Sequence, residues 1–160
     1  MKNNVFIAGI LGVVLLAGSI NCHAADWVVN EVDVPNKNVE KNYYDSKSVK
    51  VHGRTLSWTE KTVLSDFGAK YYTKHLTQYP ICQKNISDKG DAIHHQIDFE
   101  IKNGKFRTVA KRNYTKDGEL LCTDKDMGKE FDKSWRAIEY GTPMYERHYL
   151  LTTKYKLSDM

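Results

Sequence analysis

The chain has 160 residues, with 24 lysines and arginines against 20 aspartates and glutamates, and a formal net charge of +4. That length accommodates one domain with a core of its own and is short for two. The basic excess is small and spread along the chain, which excludes the concentrated cationic patch that nucleic acid requires.

The first segment reads as an export signal. Met1 to Asn4 carry one charge, Lys2, and Val5 to Ile20 hold no charged side chain and many of Ile, Leu, Val, Ala and Gly. Cys22-His23-Ala24 comes next, with small residues at its first and third positions. That order is what a signal peptidase recognises, and cleavage is expected after Ala24. A membrane anchor needs roughly 20 apolar residues, whereas this run is shorter and contains Gly9, Gly12 and Gly18. Lipid attachment at Cys22 is disfavoured by Ser19 and Asn21, which stand where that processing takes Leu and a small residue. Residues 1–24 are therefore expected to be a signal peptide. Residues 25–160 are expected to be one exported domain, in the periplasm or at the bacterial cell surface, with no membrane-spanning segment after cleavage.

Strand signals dominate from Trp27 onward. Trp27-Val28-Val29 opens the domain and Pro35-Asn36-Lys37-Asn38 breaks it. Tyr43-Tyr44 and Ser48 to Val51 suit short strands, with His52-Gly53 as a turn. In Thr55 to Leu64, the residues Leu56, Trp58, Thr62 and Leu64 fall on one face, and Ser57, Thr59 and Lys61 on the other. Glu60 interrupts the apolar face, so it must lie near an edge or have a partner. Ala69 to Tyr79 puts Tyr72, Leu76 and Tyr79 on one side of a helix that stops at Pro80, although Tyr71-Tyr72-Thr73 also suits a strand.

Residues 92–114 form the clearest unit. Ile93, His95, Ile97, Phe99 and Ile101 alternate with polar residues up to Asn103-Gly104, a dipeptide that accepts the positive φ of a two-residue hairpin. Such a turn pairs Lys102 with Lys105, Ile101 with Phe106, Phe99 with Thr108 and Ile97 with Ala110. A second turn at Lys116-Asp117-Gly118 leads into Glu119 to Thr123. A two-residue loop there puts Leu121 on the core face, and a three-residue loop with Gly118 left-handed puts Cys122 there instead. Thr142-Pro143 starts a helix as N-cap and first-turn proline, with Met144, His148, Leu151 and Tyr155 as its inner stripe. The expected fold is α+β: an antiparallel sheet of about five to six strands with a C-terminal helix packed on one face.

Two cysteines lie beyond the leader, Cys82 and Cys122, and in an exported chain such a pair is expected to form one disulfide. Free thiols binding metal or doing redox work would be expected in a CxxC spacing, which is absent.

Catalytic signatures are few. His94 and His95 are neighbours on a strand and point to opposite faces, so they cannot chelate one ion. HExxH, GxSxG and a glycine-rich phosphate loop are missing. Asp124 and Asp126 lack the glycine and terminal glutamate of a calcium loop. Asp98 and Glu100 share a polar face, which fits a solvated surface better than an acid/base pair. No enzymatic activity, cofactor or bound metal is expected. The remaining signal is a surface that interleaves basic and aromatic side chains, a composition suited to protein recognition. Lys70, Tyr71, Lys74 and His75 belong to one such stretch, and Arg107 and Lys111 to two others.

Several segments together carry a resemblance. Ala25-Asp26-Trp27-Val28 begins the series, followed by Tyr43-Tyr44-Asp45-Ser46-Lys47-Ser48-Val49, Gly53 and Trp58. Phe106-Arg107 leads to Tyr114-Thr115-Lys116-Asp117-Gly118-Glu119-Leu120, and Trp135-Arg136-Ala137-Ile138 leads to Gly141-Thr142-Pro143. In this order they resemble the bacterial surface-adhesin protein E family across most of residues 25–160. The chain departs from it in its cysteines, since many members carry theirs where Phe99 and the region around Tyr149 stand here. The resemblance implies a helix-covered antiparallel sheet, often dimeric, exposed at the bacterial surface and binding host matrix or plasma proteins. The expected function is thus a non-enzymatic exported binding protein, an adhesin in its specific form. The competing expectation is a periplasmic accessory protein without a host ligand.

Overall fold

The computed structural model describes residues 24–30, 36–128 and 131–157. The expected leader, up to His23, lies outside the described residues. Eleven regular elements occur in chain order: β1 (Trp27–Val29), β2 (Val39–Asp45), β3 (Lys50–His52), β4 (Thr55–Leu64), α1 (Asp66–Leu76), α2 (Pro80–Lys89), β5 (His94–Lys102), β6 (Lys105–Tyr114), β7 (Leu120–Thr123), β8 (Arg136–Ala137) and α3 (Pro143–Lys154). All strand pairs are antiparallel, and the sheet runs β1-β2-β4-β5-β6-β7, with β3 beside β4 and β8 beside β6. The six-strand path meets the expected strand count, and two short strands raise the total to eight. No helix among the described residues is long and apolar enough to cross a membrane.

β2 and β3 are two pieces of one partner to β4, separated by a 3₁₀ turn at Ser46–Ser48. The break has a local cause. Asp45 Oδ1 accepts from the backbone N–H of Lys47 and of Asp26, while Ser48 Oγ donates to the Asp45 carbonyl. Such side-chain bonds offer the backbone an alternative to the ladder. The strand expected from Ser48 consequently starts at Lys50.

Cross-strand neighbours share a face, so the register sorts the sheet into two sides. Leu56 sits opposite Ile101, Trp58 opposite Phe99, Glu60 opposite Ile97 and Thr62 opposite His95; beyond them His95 sits opposite Asn113 and Asn113 opposite Cys122. All three helices pack on this side. Leu151 of α3 joins Tyr44, Leu56, Trp58, Phe99 and Ile101 in one buried cluster. Leu76, Tyr79 and Cys82 from α1 and α2 join Ala92, Leu121, Cys122 and Met127 in the other. The expected disulfide is present within the second cluster, joining Cys82 of α2 to Cys122 of β7 with Cα atoms 5.2 Å apart.

α3 starts as the sequence implies, with Thr142 Oγ1 accepting from the Tyr145 N–H. Its expected inner stripe is only partly right. Leu151 is fully buried, but Arg147, one turn before it, is buried as well. Arg147 is drawn inward by Glu60, which accepts from the Arg147 guanidinium and from Trp58 Nε1. Asn30 Oδ1 accepts a further guanidinium N–H. Glu60 therefore lies on a central strand with a partner, rather than at an edge. A buried carboxylate tolerates that position only when paired and hydrogen-bonded.

The segment expected as helix or strand over 69–79 is helical up to Leu76. α1 begins at Asp66, capped by Ser65 Oγ, which accepts from the Gly68 N–H at 3.0 Å. α2 was not expected from the sequence. α1 ends at Leu76 with Thr77 as its C-cap, short of the expected stop at Pro80, and Pro80 instead occupies the first turn of the next helix, where its missing N–H costs nothing.

The β5–β6 hairpin corrects one expected pair. Asn103 and Gly104 have φ of 51° and 67°, as the two-residue turn requires, and the pairing runs as expected to Phe99–Thr108. A bulge comes next. Asp98 faces Ala110, so Ile97 faces Lys111 and not Ala110. Val109 is the extra residue, and everything after it changes side. At the second turn Gly118 is left-handed, with φ of 82°, and Cys122 takes the core side opposite Asn113. A further irregularity lets Leu121 be buried too, so neither simple register describes β7.

Candidate functional site

The second side of the sheet carries no helix among the described residues. Alternation places Trp27, Tyr43, Ser57, Thr59 and Lys61 there, with His94, Gln96, Asp98 and Glu100 from β5 and Arg107, Arg112 and Tyr114 from β6. Its side chains are held by one another. The Lys61 ammonium lies 4.5 Å from the Trp27 ring centroid and 4.8 Å from that of Tyr43. Partial burial lowers the Lys61 pKa. The His94 ring stacks on Tyr114 at 5.0 Å, and burial together with the nearby Lys61 charge lowers its pKa.

Toward the middle, Arg112 donates to both oxygens of Asp98, at 2.8 and 2.5 Å, and Thr59 Oγ1 donates to Asp98 at 2.8 Å. The hydrogen bonds to Asp98 raise the Arg112 pKa further. Arg107 pairs with Glu100 at 2.7 Å and lies 4.7 Å over the Trp135 ring. Asp98 and Glu100, expected to share a polar face, do so, and each carboxylate is paired with a guanidinium. Aromatic–cation pairs at the two ends of the face flank these central ion pairs. Such a surface presents fixed, flat, polar-tipped groups, and their fixation lowers the ordering cost of docking a partner.

The six residues expected to form a binding surface do not lie together. Lys70, Tyr71 and Lys74 are exposed on α1, on the helix-covered side of the sheet. Arg107 stands on the open face. His75 and Lys111 meet elsewhere, in a cleft of about 150 Å³ lined by Tyr72, Tyr79, Met127 and Phe131 as well. The bulge explains the last placement, because it turns Lys111 to the helix-covered side. The interleaving of basic and aromatic residues along β6 also misled, since neighbours on a strand diverge. Phe106 stacks under Arg136 at 4.6 Å, while Arg107 points the other way. Trp27, Tyr43, Lys61, His94 and Tyr114 were missed. Period-two alternation places Trp27, Tyr43, Lys61 and His94 on their strands' outward faces and the bulge turns Tyr114 there, but only the strand order reveals them as neighbours.

In the cleft, the Lys111 ammonium lies 4.7 Å from the Tyr72 ring centroid. Burial lowers its pKa to about 8. Tyr72 donates its hydroxyl to Asn113 Oδ1 at 3.0 Å, and burial, then the nearby Tyr79, push its pKa upward. His95 packs against Tyr72 at 5.5 Å. Burial, then the Lys111 and His94 charges, hold His95 down to about 3, so it is neutral at ordinary pH. Among the described residues no three His, Cys, Asp or Glu side chains are grouped to hold a metal ion. Comparison of the chain with family models, curated proteins and solved structures finds no match.

Proposed function

We propose that this chain is an exported, non-enzymatic binding protein of the surface-adhesin protein E type, which engages a protein partner through the open face of its sheet. The carrying observation is the ordered row from Trp27, Lys61 and Tyr43 to Arg107 and Trp135, on a face that no helix covers among the described residues. Interface anchors are drawn from Trp, Tyr and Arg, and these residues occupy both ends of the row. The paired charges between them favour a polar partner surface over a lipid one. In its specific form the partner is a host matrix or plasma protein.

Binding of the purified mature protein to immobilised matrix and serum proteins tests the reading. Replacing Trp27, Lys61 and Arg107 by alanine is expected to abolish binding at physiological salt. Replacing Lys70, Tyr71 and Lys74 is expected to leave it intact. The opposite pattern overturns the choice of face, and binding lost at modest salt reduces it to unspecific charge attraction. Protease treatment of intact cells tests the adhesin form. A protein cleaved only after the outer membrane is opened is an accessory protein of the periplasm instead.

A further inference from the structure

We infer that the cleft between α1, β6 and the chain beyond β7 is a binding site for a small aromatic carboxylate, with the Lys111 ammonium as its counter-ion. This site lies on the opposite side of the sheet from the open face and does not depend on it.

Three observations carry the inference. The walls are flat and largely apolar: Tyr72, Tyr79, Met127 and Phe131. A volume of about 150 Å³ is well below the roughly 300–1,000 Å³ of drug-sized pockets, so it suits one ring and a short substituent. Second, the half-buried ammonium has no carboxylate partner among the described residues. Asp124, which touches the Lys111 backbone, is already engaged, its Oδ1 accepting the Lys111 N–H at 3.1 Å and its Oδ2 holding Lys133 at 2.6 Å. Third, the position is costly for a lysine. The bulge at Val109 turns Lys111 inward, where a charge without a counter-ion is penalised. A methionine would fill the same stem without that penalty. An arriving carboxylate removes it, pairing with Lys111 while its ring packs on Tyr72 and Phe131.

The titratable groups lining the site beside Lys111 are Tyr72, His75 and Tyr79, with His95 packed against Tyr72; the Asp124–Lys133 pair adjoins it through the Lys111 backbone and the Phe131 ring. Lys133 lies 5.6 Å over the Phe131 ring, its charge paired with Asp124. A neutral or cationic ring lacks the pairing that would offset the buried charge.

The test titrates the purified protein with benzoate, benzamide and benzylamine, following amide resonances of the cleft by NMR. Benzoate is expected to shift residues around Tyr72, His75 and Phe131. Benzamide is expected to bind about tenfold more weakly or worse, and benzylamine not at all. Lys111→Met, which keeps the stem and is expected to fold, should lose the preference for benzoate over benzamide. The ammonium titration of Lys111, read from labelled lysine, is expected to move upward from about 8 when benzoate is bound, as linkage requires. Equal affinity for benzoate and benzamide, an unaltered preference in Lys111→Met, or benzoate shifts confined to residues outside the cleft would each overturn the site.

Discussion

His95 shows how much one buried side chain sets the response to acid. Its Nδ1 is enclosed without a hydrogen-bond partner among the described residues, and its pKa falls from 6.5 to about 3. Between those values the unfolded chain binds a proton that the folded chain refuses. The contribution is therefore fully present above pH 6.5 and lost progressively as pH falls toward 3. At pH 5 the loss is about 2 kcal/mol. Urea denaturation at pH 7 and pH 5 is expected to show a drop in stability of that order. The drop should shrink in His95→Phe, with a remainder from His94, whose pKa is also lowered. An undiminished drop would mean that His95 does not carry the effect. At this scale the sequence was partly legible. Glu60 announced the need for a partner because a charge on an apolar strand face must be neutralised. Arg147 did not announce itself, because a helical stripe is read from apolar residues and its long stem hides among polar ones.

At the scale of elements, α1 is positioned by a close approach as well as by its cap. The Ser65 hydroxyl donates to the Lys37 carbonyl, and the Ser65 N–H donates to the Asn38 carbonyl. Gly68 lies so near that turn that an added Cβ would stand 1.9 Å from the Asn38 oxygen. Alanine is the better helix former by about 1 kcal/mol, yet Gly68→Ala is expected to destabilise by about 1–3 kcal/mol, because backbone must move to admit it. Thermal or urea unfolding checks this, and a stabilised variant would show that α1 is free to shift. The hairpin turn at Asn103-Gly104 was legible from its dipeptide, since few residues accept two positive φ values. The bulge five residues later was not. Thr108, Val109 and Ala110 carry no glycine or proline to mark it, and the pairing partner alone decides where the extra residue goes. α2 was missed for a related reason, as Pro80 was read as a helix stop whereas α1 already ends at Leu76 and Pro80 starts the next helix.

Across the whole molecule, the two buried clusters are tied differently. The cluster under α3 is held by packing and by the Glu60–Arg147 pair, the other by packing and the Cys82–Cys122 bridge. The bridge closes a loop of sequence separation 40, which contributes up to about 4 kcal/mol in the chain-entropy treatment. Cys82→Ala and Cys122→Ala are expected to lower the unfolding midpoint by equal amounts, and reductant should lower the wild type to match. Clearly unequal losses would show that one cysteine acts chiefly through its own packing. The fold class was legible because alternation, turn dipeptides and cysteine count are local or additive signals. The open face was not, because Trp27, Lys61 and Tyr43 become neighbours only when β1, β2 and β4 assemble, and Trp135 reaches Arg107 from far along the chain.

The extra residue in β6 acts as a change of parity. A strand offers only two orientations, so one unpaired residue exchanges the wet and dry assignments of every position after it. Pairing Val109 with Asp98 in regular alternation, with no bulge, would send Lys111 and Asn113 outward and bring Arg112 and Tyr114 under the helices, dissolving the Arg112–Asp98 pair and the Tyr72–Asn113 bond in one step. The open face and the aromatic cleft are thus not independently adjustable along this strand: a shift of one residue rewrites both.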